Sequence, residues 1–263
     1  MLVPPDRVAF YLGNYPVMKY GITLGIAIFI CIFVLLAVRQ KFYDEFSEDT
    51  VLDLSFYIIL GGILGARLWY VLLNINYYIA HIGEIIMVNH GGISIHGAIF
   101  GGITAGFVYV KYNNLNFLRL ADMYSLVIPI GQAVGRWGNF FNSEAFGKPC
   151  ELFWKMYIAP QYRPLEYKNV QYFHPTFLYE SIANVMIFII LFVFLRNKFK
   201  DYDGMLFFSY LIMYSFIRIF IEFIRIDSVL NIGNIPVAAV VSAVIIVVSF
   251  LSIIYLYKIK GFN

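Results

Sequence analysis

Residues 19–38 read KYGITLGIAIFICIFVLLAV, one lysine followed by nineteen uncharged residues. A helix rises about 1.5 Å per residue, so this stretch matches the ~30 Å hydrocarbon thickness of a bilayer. Six more stretches of similar character follow, at roughly 54–73, 93–110, 119–134, 176–195, 204–223 and 236–257. The fourth is short, starts with Arg119 and Asp122, and contains Pro129, which kinks or breaks a helix. Composition points the same way. Of 263 residues, 61% are hydrophobic and 13% charged, where a soluble chain carries about a quarter charged residues. The expected fold is all-α: a single polytopic membrane domain over residues 1–263 with about seven transmembrane helices.

Basic residues orient such a chain, short loops being the better reporters. With the N-terminus outside, the inner connections hold Arg39, Lys41, Lys111, Arg119, Arg196, Lys198, Lys200, Lys258 and Lys260. The short outer ones hold only Arg7, Lys19 and Arg225. The spacing therefore predicts the N-terminus outside and the C-terminus in the cytoplasm, with residues 135–175 as a long extracytoplasmic connection. The net charge of +3 suits anionic bilayer lipid. No basic patch is interleaved with stacking aromatics, so nucleic acid is not an expected partner. Cys31 lies in an apolar span and Cys150 in a polar loop, so a disulfide between them is not expected. Without CxxC, HExxH or a His/Cys cluster, no metal or other cofactor is expected either. The first apolar run is too long for a cleaved leader, and Arg39, Gln40 and Lys41 follow it rather than a small-residue cleavage site.

Glycines four apart, at 61 and 65, 97 and 101, and 102 and 106, allow close helix packing or leave room for a lipid tail. Charges inside spans are more informative, because each costs roughly 2.5–3.5 kcal/mol at the bilayer centre. Arg67, Glu180, Arg218 and Glu222 stand in or near spans. On the sixth, Tyr214, Arg218, Glu222 and Arg225 share one helix face. Two arginines against one carboxylate leave a positive surplus that suits a phosphate, or the group is a packed ion-pair network. His96 closes the run HGGISIHG (90–97); it is a core hydrogen-bonding residue or a proton acceptor near neutral pH. His81 and His90 read as loop residues. Arg67 and Tyr70 share a face, and Tyr20 opens the first span.

The run GRWGNFFNSEAFG, residues 135–147, sets Arg136, Asn139, Asn142 and Glu144 among glycines. It folds tightly, presenting donors to an anionic headgroup or only a solvated turn. A second polar run, HPTFLYE (174–180), enters the fifth span, with Thr176 placed to cap it and Glu180 in part structural. From these features alone, a transporter for a lipidic or anionic solute competes with an enzyme. A scaffold is disfavoured by so many polar residues in apolar spans.

The same residues resemble the prolipoprotein diacylglyceryl transferase family of bacteria. Residues 135–147 fit its signature, Gly-Arg-x-Gly-Asn-Phe-x-Asn-x-Glu-x-x-Gly, without departure. His96 in its glycine-rich setting, Asp122, Arg67 with Tyr70, Tyr20, the His-Pro-Thr run and the Tyr214, Arg218, Glu222, Arg225 ladder also match. Phe177 stands where the family more often has Gln, so that position is given no polar role, and 148–173 follows no family pattern. The resemblance implies transfer of the diacylglyceryl group of phosphatidylglycerol to the lipobox cysteine of prolipoprotein signal peptides, at the bacterial cell membrane. A thioether forms and glycerol 1-phosphate leaves. Under it, Arg136 and Arg218 hold the phosphate, with Arg225 and Arg67 as further cations. His96 takes the thiol proton, or the Arg218–Glu222 pair does. Asn139, Glu144, Tyr20, Tyr70 and Tyr214 orient the headgroup or shape the cavity, and Asn142 fixes the loop.

Overall fold

The computed structural model describes residues 1–87, 91–226, 231–233 and 235–260; His90 lies outside them. The elements are β1 (Val8–Leu12), β2 (Tyr15–Met18), α1 (Lys19–Phe42), α2 (Glu48–Leu73), α3 (Ile75–Ala80), α4 (Ile95–Tyr112), α5 (Phe117–Ser125), α6 (Ile128–Phe141), β3 (Met156–Tyr157), β4 (Tyr172–Phe173), α7 (Thr176–Ile189), α8 (Met205–Ile224), β5 (Asn231–Ile232), β6 (Ile235–Pro236) and α9 (Val237–Lys260). The strands form three two-stranded antiparallel ribbons, so the architecture is helical. A π-helical turn, Ile190–Leu195, extends α7.

Among the described residues, five helical stretches have the length and apolarity to cross a bilayer: 19–42, 48–73, 176–195, 205–224 and 237–259. At most 28% of the apolar window of each is buried within the protein. Large side chains such as Phe29 and Phe33 on α1, or Val247 and Leu251 on α9, are more than half exposed. In water such surfaces would aggregate, whereas in lipid they are solvated. The chain is therefore a multi-pass membrane protein. α4 has 18 residues, but four of them are glycine and one is Lys111.

The expected fourth span, 119–134, is not continuous. It divides into α5 and α6 at Leu126 and Val127, and Pro129 occupies the first turn of α6, where its missing N–H has no helical partner to lose. α6 then runs on to Phe141 and takes the first half of the 135–147 run into a helix.

The described chain divides into two compact units: residues 1–35 with 121–263, and residues 36–120. In the second, α2 and α4 pack backbone to backbone. A Cβ added at Gly61 would lie 2.7 Å from the Gly101 carbonyl oxygen, and one added at Gly65 would lie 2.8 Å from Gly101 Cα. Gly102 and Gly106 face Ile58 instead. The glycine pairs thus serve helix packing. Ser47 caps α2 by accepting from Thr50 N at 3.0 Å, with Glu48 and Asp49 in the positive first turn.

In the first unit, α6 packs on α7, α7 on α8 and α8 on α9. The start of α8 is held by Asp122, 1% exposed. Its carboxylate accepts from Gly204 N at 2.7 Å and Phe207 N at 2.8 Å, and an anion at a helix N-terminus is favourable. At the other end of α8, Lys148 N donates to Ile224 O at 2.9 Å, while Leu2 pairs with Met156. The residues before α1, the connection after α6 and the end of α8 therefore meet at one end of this unit. The connection has its own core: Phe146, Met156, Ile158 and Phe173 pack with Phe140 of α6 and Phe177 of α7. Phe177 is 1% exposed and packs within this hydrophobic cluster.

Gly101→Val is expected to lower the thermal stability of the detergent-solubilised protein by about 1–3 kcal/mol through overpacking. Gly25→Val, where an added Cβ meets nothing within 4 Å, should change the unfolding midpoint little.

Candidate active site

Three helices of the first unit present charge to one another. α6 offers Arg136, α7 offers Glu180 and α8 offers Arg218 and Glu222. Arg136 Nη2 stands 2.5 Å from Glu180 Oε2, Arg218 Nη1 lies 3.9 Å from the same oxygen, and Arg218 Nη2 is 2.7 Å from Glu222 Oε2. The carboxylates are buried, at 2% and 5% exposure for Glu180 and Glu222, and each arginine side chain keeps 20% exposure. The i, i+4 ladder on α8 predicted the Arg218–Glu222 pair. α6 and α7 add Arg136 and Glu180 to that pair, one charge of each sign, so Arg225 at the end of α8 keeps the surplus read from the ladder. Arg136 and Arg218 thus face Glu180 and Glu222, and such pairing of opposite charges offsets much of the cost of burying them. Glu180 is the site residue that sequence reasoning undervalued. The available signal was an acid inside an apolar span, but its partners lie 44 positions before it and 38 after it.

The 135–147 run is half helix and half turn. Arg136 Nη1 donates to Asn139 Oδ1 at 3.4 Å, Asn139 Nδ2 donates to Glu144 Oε1 at 2.9 Å, and Asn142 Nδ2 faces Glu144 Oε2 at 3.4 Å. Glu144 is thus oriented by two asparagines while remaining exposed. Ser143 and Ala145 adopt left-handed φ values of 50° and 54°, a conformation that costs energy for non-glycine residues and is sustained by surrounding contacts. One contact is the Thr176 hydroxyl, which donates to Ala145 O. Thr176 therefore does not cap α7; it is the first residue of that helix and ties it to the turn. Arg7 braces the start of the turn, donating to Asn142 O at 2.6 Å and lying 3.6 Å over the Tyr162 ring. Gly138 lets the Tyr20 ring lie against α6, where a Cβ would meet it at 2.8 Å.

Tyr214 stacks on Tyr210 at 5.9 Å, one turn before Arg218. Arg225 ends α8, and its backbone bridges to Gly147. The first unit therefore brings together Arg136, Asn139, Glu144, Arg218 and Glu222, with Tyr20, Tyr214 and Arg225 on the same elements. Beside them, Trp154 Nε1 donates to Tyr179 Oη at 2.8 Å, and that oxygen is 3.0 Å from His174 Nδ1.

Arg67, Tyr70 and His96 belong to the second unit. Arg67 is buried and donates to four backbone carbonyls: Glu84 at 2.6 Å, Ile85 at 2.8 Å, Gly91 at 2.7 Å and Gly92 at 2.8 Å. A guanidinium has five N–H donors, so most of this one is committed to holding a loop. Around it is a cavity of about 470 Å³ lined by Tyr70, Asn74, Tyr77, Tyr78 and Glu84. His96, the second residue of α4, is exposed.

Comparison with known proteins bears on this arrangement. The family model described as prolipoprotein diacylglyceryl transferase matches residues 7–255. The chain belongs to the prolipoprotein diacylglyceryl transferase family. A phosphatidylglycerol–prolipoprotein diacylglyceryl transferase of Acaryochloris marina is 40% identical over 256 residues, covering 97% of this chain and 92% of the relative. The enzyme of that name from Thermotoga maritima is 40% identical, covering 93% and 83%, and that from Thermosynechococcus vestitus is 41% identical, covering 94% and 91%. The protein is thus a membrane transferase of lipoprotein biosynthesis, and the transporter reading loses its motive.

Burial pushes the His174 imidazole below its ordinary value. The unfolded chain then binds a proton that the folded one resists, so stability falls as pH drops below about 6.5, the ordinary histidine value. Amide protection factors in the 142–175 connection, taken relative to the intrinsic exchange rate at each pH, should fall modestly below that pH, and His174→Gln should flatten the dependence.

Proposed function

We propose that this transferase moves the diacylglyceryl group of phosphatidylglycerol to the lipobox cysteine thiol of a prolipoprotein signal peptide, leaving a thioether and releasing glycerol 1-phosphate. The observation that carries the reading is the meeting of Arg136 and Arg218 at one buried carboxylate, in a chain of this family. The reaction forms a sulfur–carbon bond and breaks a carbon–oxygen bond to phosphate, and the thiol proton passes to a base. It needs a thiolate, because a thiol near pKa 8.5 is mostly protonated at neutral pH. It also needs positive charge where the phosphate leaves. Arginine suits the second task, since its fork of donors matches phosphate oxygens.

The carboxylates engage only part of each fork. Arg136 and Arg218, each 20% exposed, keep donors for phosphate oxygens, and Arg225 is a further cation. Glu222 holds Arg218 in place. Asn139, Glu144, Tyr20 and Tyr214 orient the headgroup or line the site, and Asn142 and the turn it closes fix Glu144. Arg67 and Tyr70 act through the loop and cavity of the second unit. His96 is the first candidate for the thiol proton, with the Arg218–Glu222 pair as the other route. No cofactor or metal is invoked.

The chain is read as one membrane domain with seven crossings: five long helices, α4, and the α5–α6 pair. An odd number places the two ends on opposite sides. The shared position of the N-terminal residues, the connection after α6 and the end of α8 supports an extracytoplasmic site. The C-terminus then lies in the cytoplasm, in a bacterial cell membrane. Both reactants reach the site from bilayer lipid.

Purified protein, phosphatidylglycerol and a synthetic lipobox peptide should yield a peptide heavier by one diacylglyceryl unit, read by mass spectrometry. A serine in place of the peptide's cysteine should abolish the gain. No adduct from folded protein would sink the proposal. Arg136→Ala and Arg218→Ala should each lower kcat/KM by about a hundredfold or more; near-unchanged turnover removes their role. His96→Asn should lower the rate and alter its pH profile, and an unchanged profile assigns the proton to the Arg218–Glu222 pair.

A further inference from the structure

Two atoms of the charged cluster have unmet bonding capacity. Glu180 Oε1 and Arg218 Nη1 are both buried and neither has a hydrogen-bond partner. Glu180 spends its other oxygen on Arg136 at 2.5 Å, and Arg218 Nη1 lies 3.9 Å from that oxygen, beyond hydrogen-bonding distance. Glu180 is 2% exposed, so bulk water does not compensate it. An unmade hydrogen bond at a buried charged atom is expensive, and here an acceptor and a donor are both left over on adjacent side chains.

The chemistry of the pair selects what can satisfy both. An anionic phosphate oxygen placed between these two atoms accepts from Arg218 Nη1 but is repelled by Glu180 Oε1, so the phosphate takes other donors of the two guanidiniums. An ammonium donates to Glu180 but cannot accept from Arg218, and it meets the charge of Arg136. A hydroxyl does both, accepting from Arg218 Nη1 and donating to Glu180 Oε1. One turn along the same helix, Asn184 holds a second buried oxygen with no partner, its amide nitrogen being used on Glu180 O at 2.8 Å.

We infer that Glu180 and Arg218 together read a headgroup hydroxyl, which makes Glu180 a specificity-determining residue for a polyol headgroup. The inference rests on the proposed reaction and deepens it: the arginines hold the phosphate, and Glu180 distinguishes glycerol from headgroups that lack a hydroxyl. A site built to bond a hydroxyl rejects the analogue without one, because its polar groups are then left unpaired.

The test uses the full-length protein, the lipobox peptide and two lipids: phosphatidylglycerol, and phosphatidylpropanol, which has the same phosphate and no headgroup hydroxyl. Wild type should favour phosphatidylglycerol by about tenfold or more in kcat/KM. Glu180→Gln turns the amide oxygen to Arg136 and puts an NH2 where Oε1 was. It should bring the preference to within about twofold, chiefly by raising KM for phosphatidylglycerol. An equal loss on both lipids would mean a purely structural Glu180 and overturns the inference. So does a wild type that treats the lipids alike, and that comparison decides the matter alone should the variant not fold. Transfer from neither lipid by wild type overturns the proposed function itself, a different result.

Discussion

A carboxylate inside an apolar helix bundle needs partners for its charge, and Glu180 has one arginine from each of two other helices. Arg136 arrives from α6 and Arg218 from α8. The geometry of the site is therefore the geometry of three helices, set by packing along their lengths. Ser181, next to Glu180, donates to Ala133 O of α6 at 2.9 Å, and Asp122 fixes where α8 begins. If either alignment slipped by a turn, about 5.4 Å, the charges would part and each would face an apolar surround unpaired. Removing one partner of such a set costs far more than the set contributes as a whole.

Around this centre the protein uses backbone as well as charge. The left-handed residues Ser143 and Ala145 reverse the chain immediately after α6, which returns Glu144 toward Asn139. Thr176 holds the reversal at Ala145 and Arg7 holds it at Asn142. Strain of this kind survives only where neighbours over-determine it, and these neighbours come from two other parts of the chain. The run is thus a clamp on one carboxylate rather than a flexible loop.

Much of this was legible in the residues. The long apolar helices, the α8 ladder and the glycine faces follow from local spacing, because a helix converts sequence period directly into a shared face. The 135–147 run was recognisable as a pattern, yet its division into helix and turn was not, since nothing within it marks where α6 stops. Pro129 signalled an interruption but could not say whether the helix bends or breaks. Thr176 has the right residue type for a cap and a different task, because its acceptor, Ala145 O, is 31 positions away. Glu180 was visible as an acid in an apolar span; that it stands between two arginines depends on which helices are neighbours, and no local pattern encodes that.

The pairing of Leu2 with Met156 also sets an order in time. Leu2 is made early, while the strand that pairs with it is still unsynthesised. At about 5–20 residues per second, a ribosome needs roughly ten to thirty seconds to cover the intervening chain. Through that interval the residues before α1 have no docking surface, and they settle only when the connection after α6 has emerged. The beginning of the chain is thus among the last parts of this end of the molecule to reach its place, and the charged cluster assembles later still, since Arg218 is made after both.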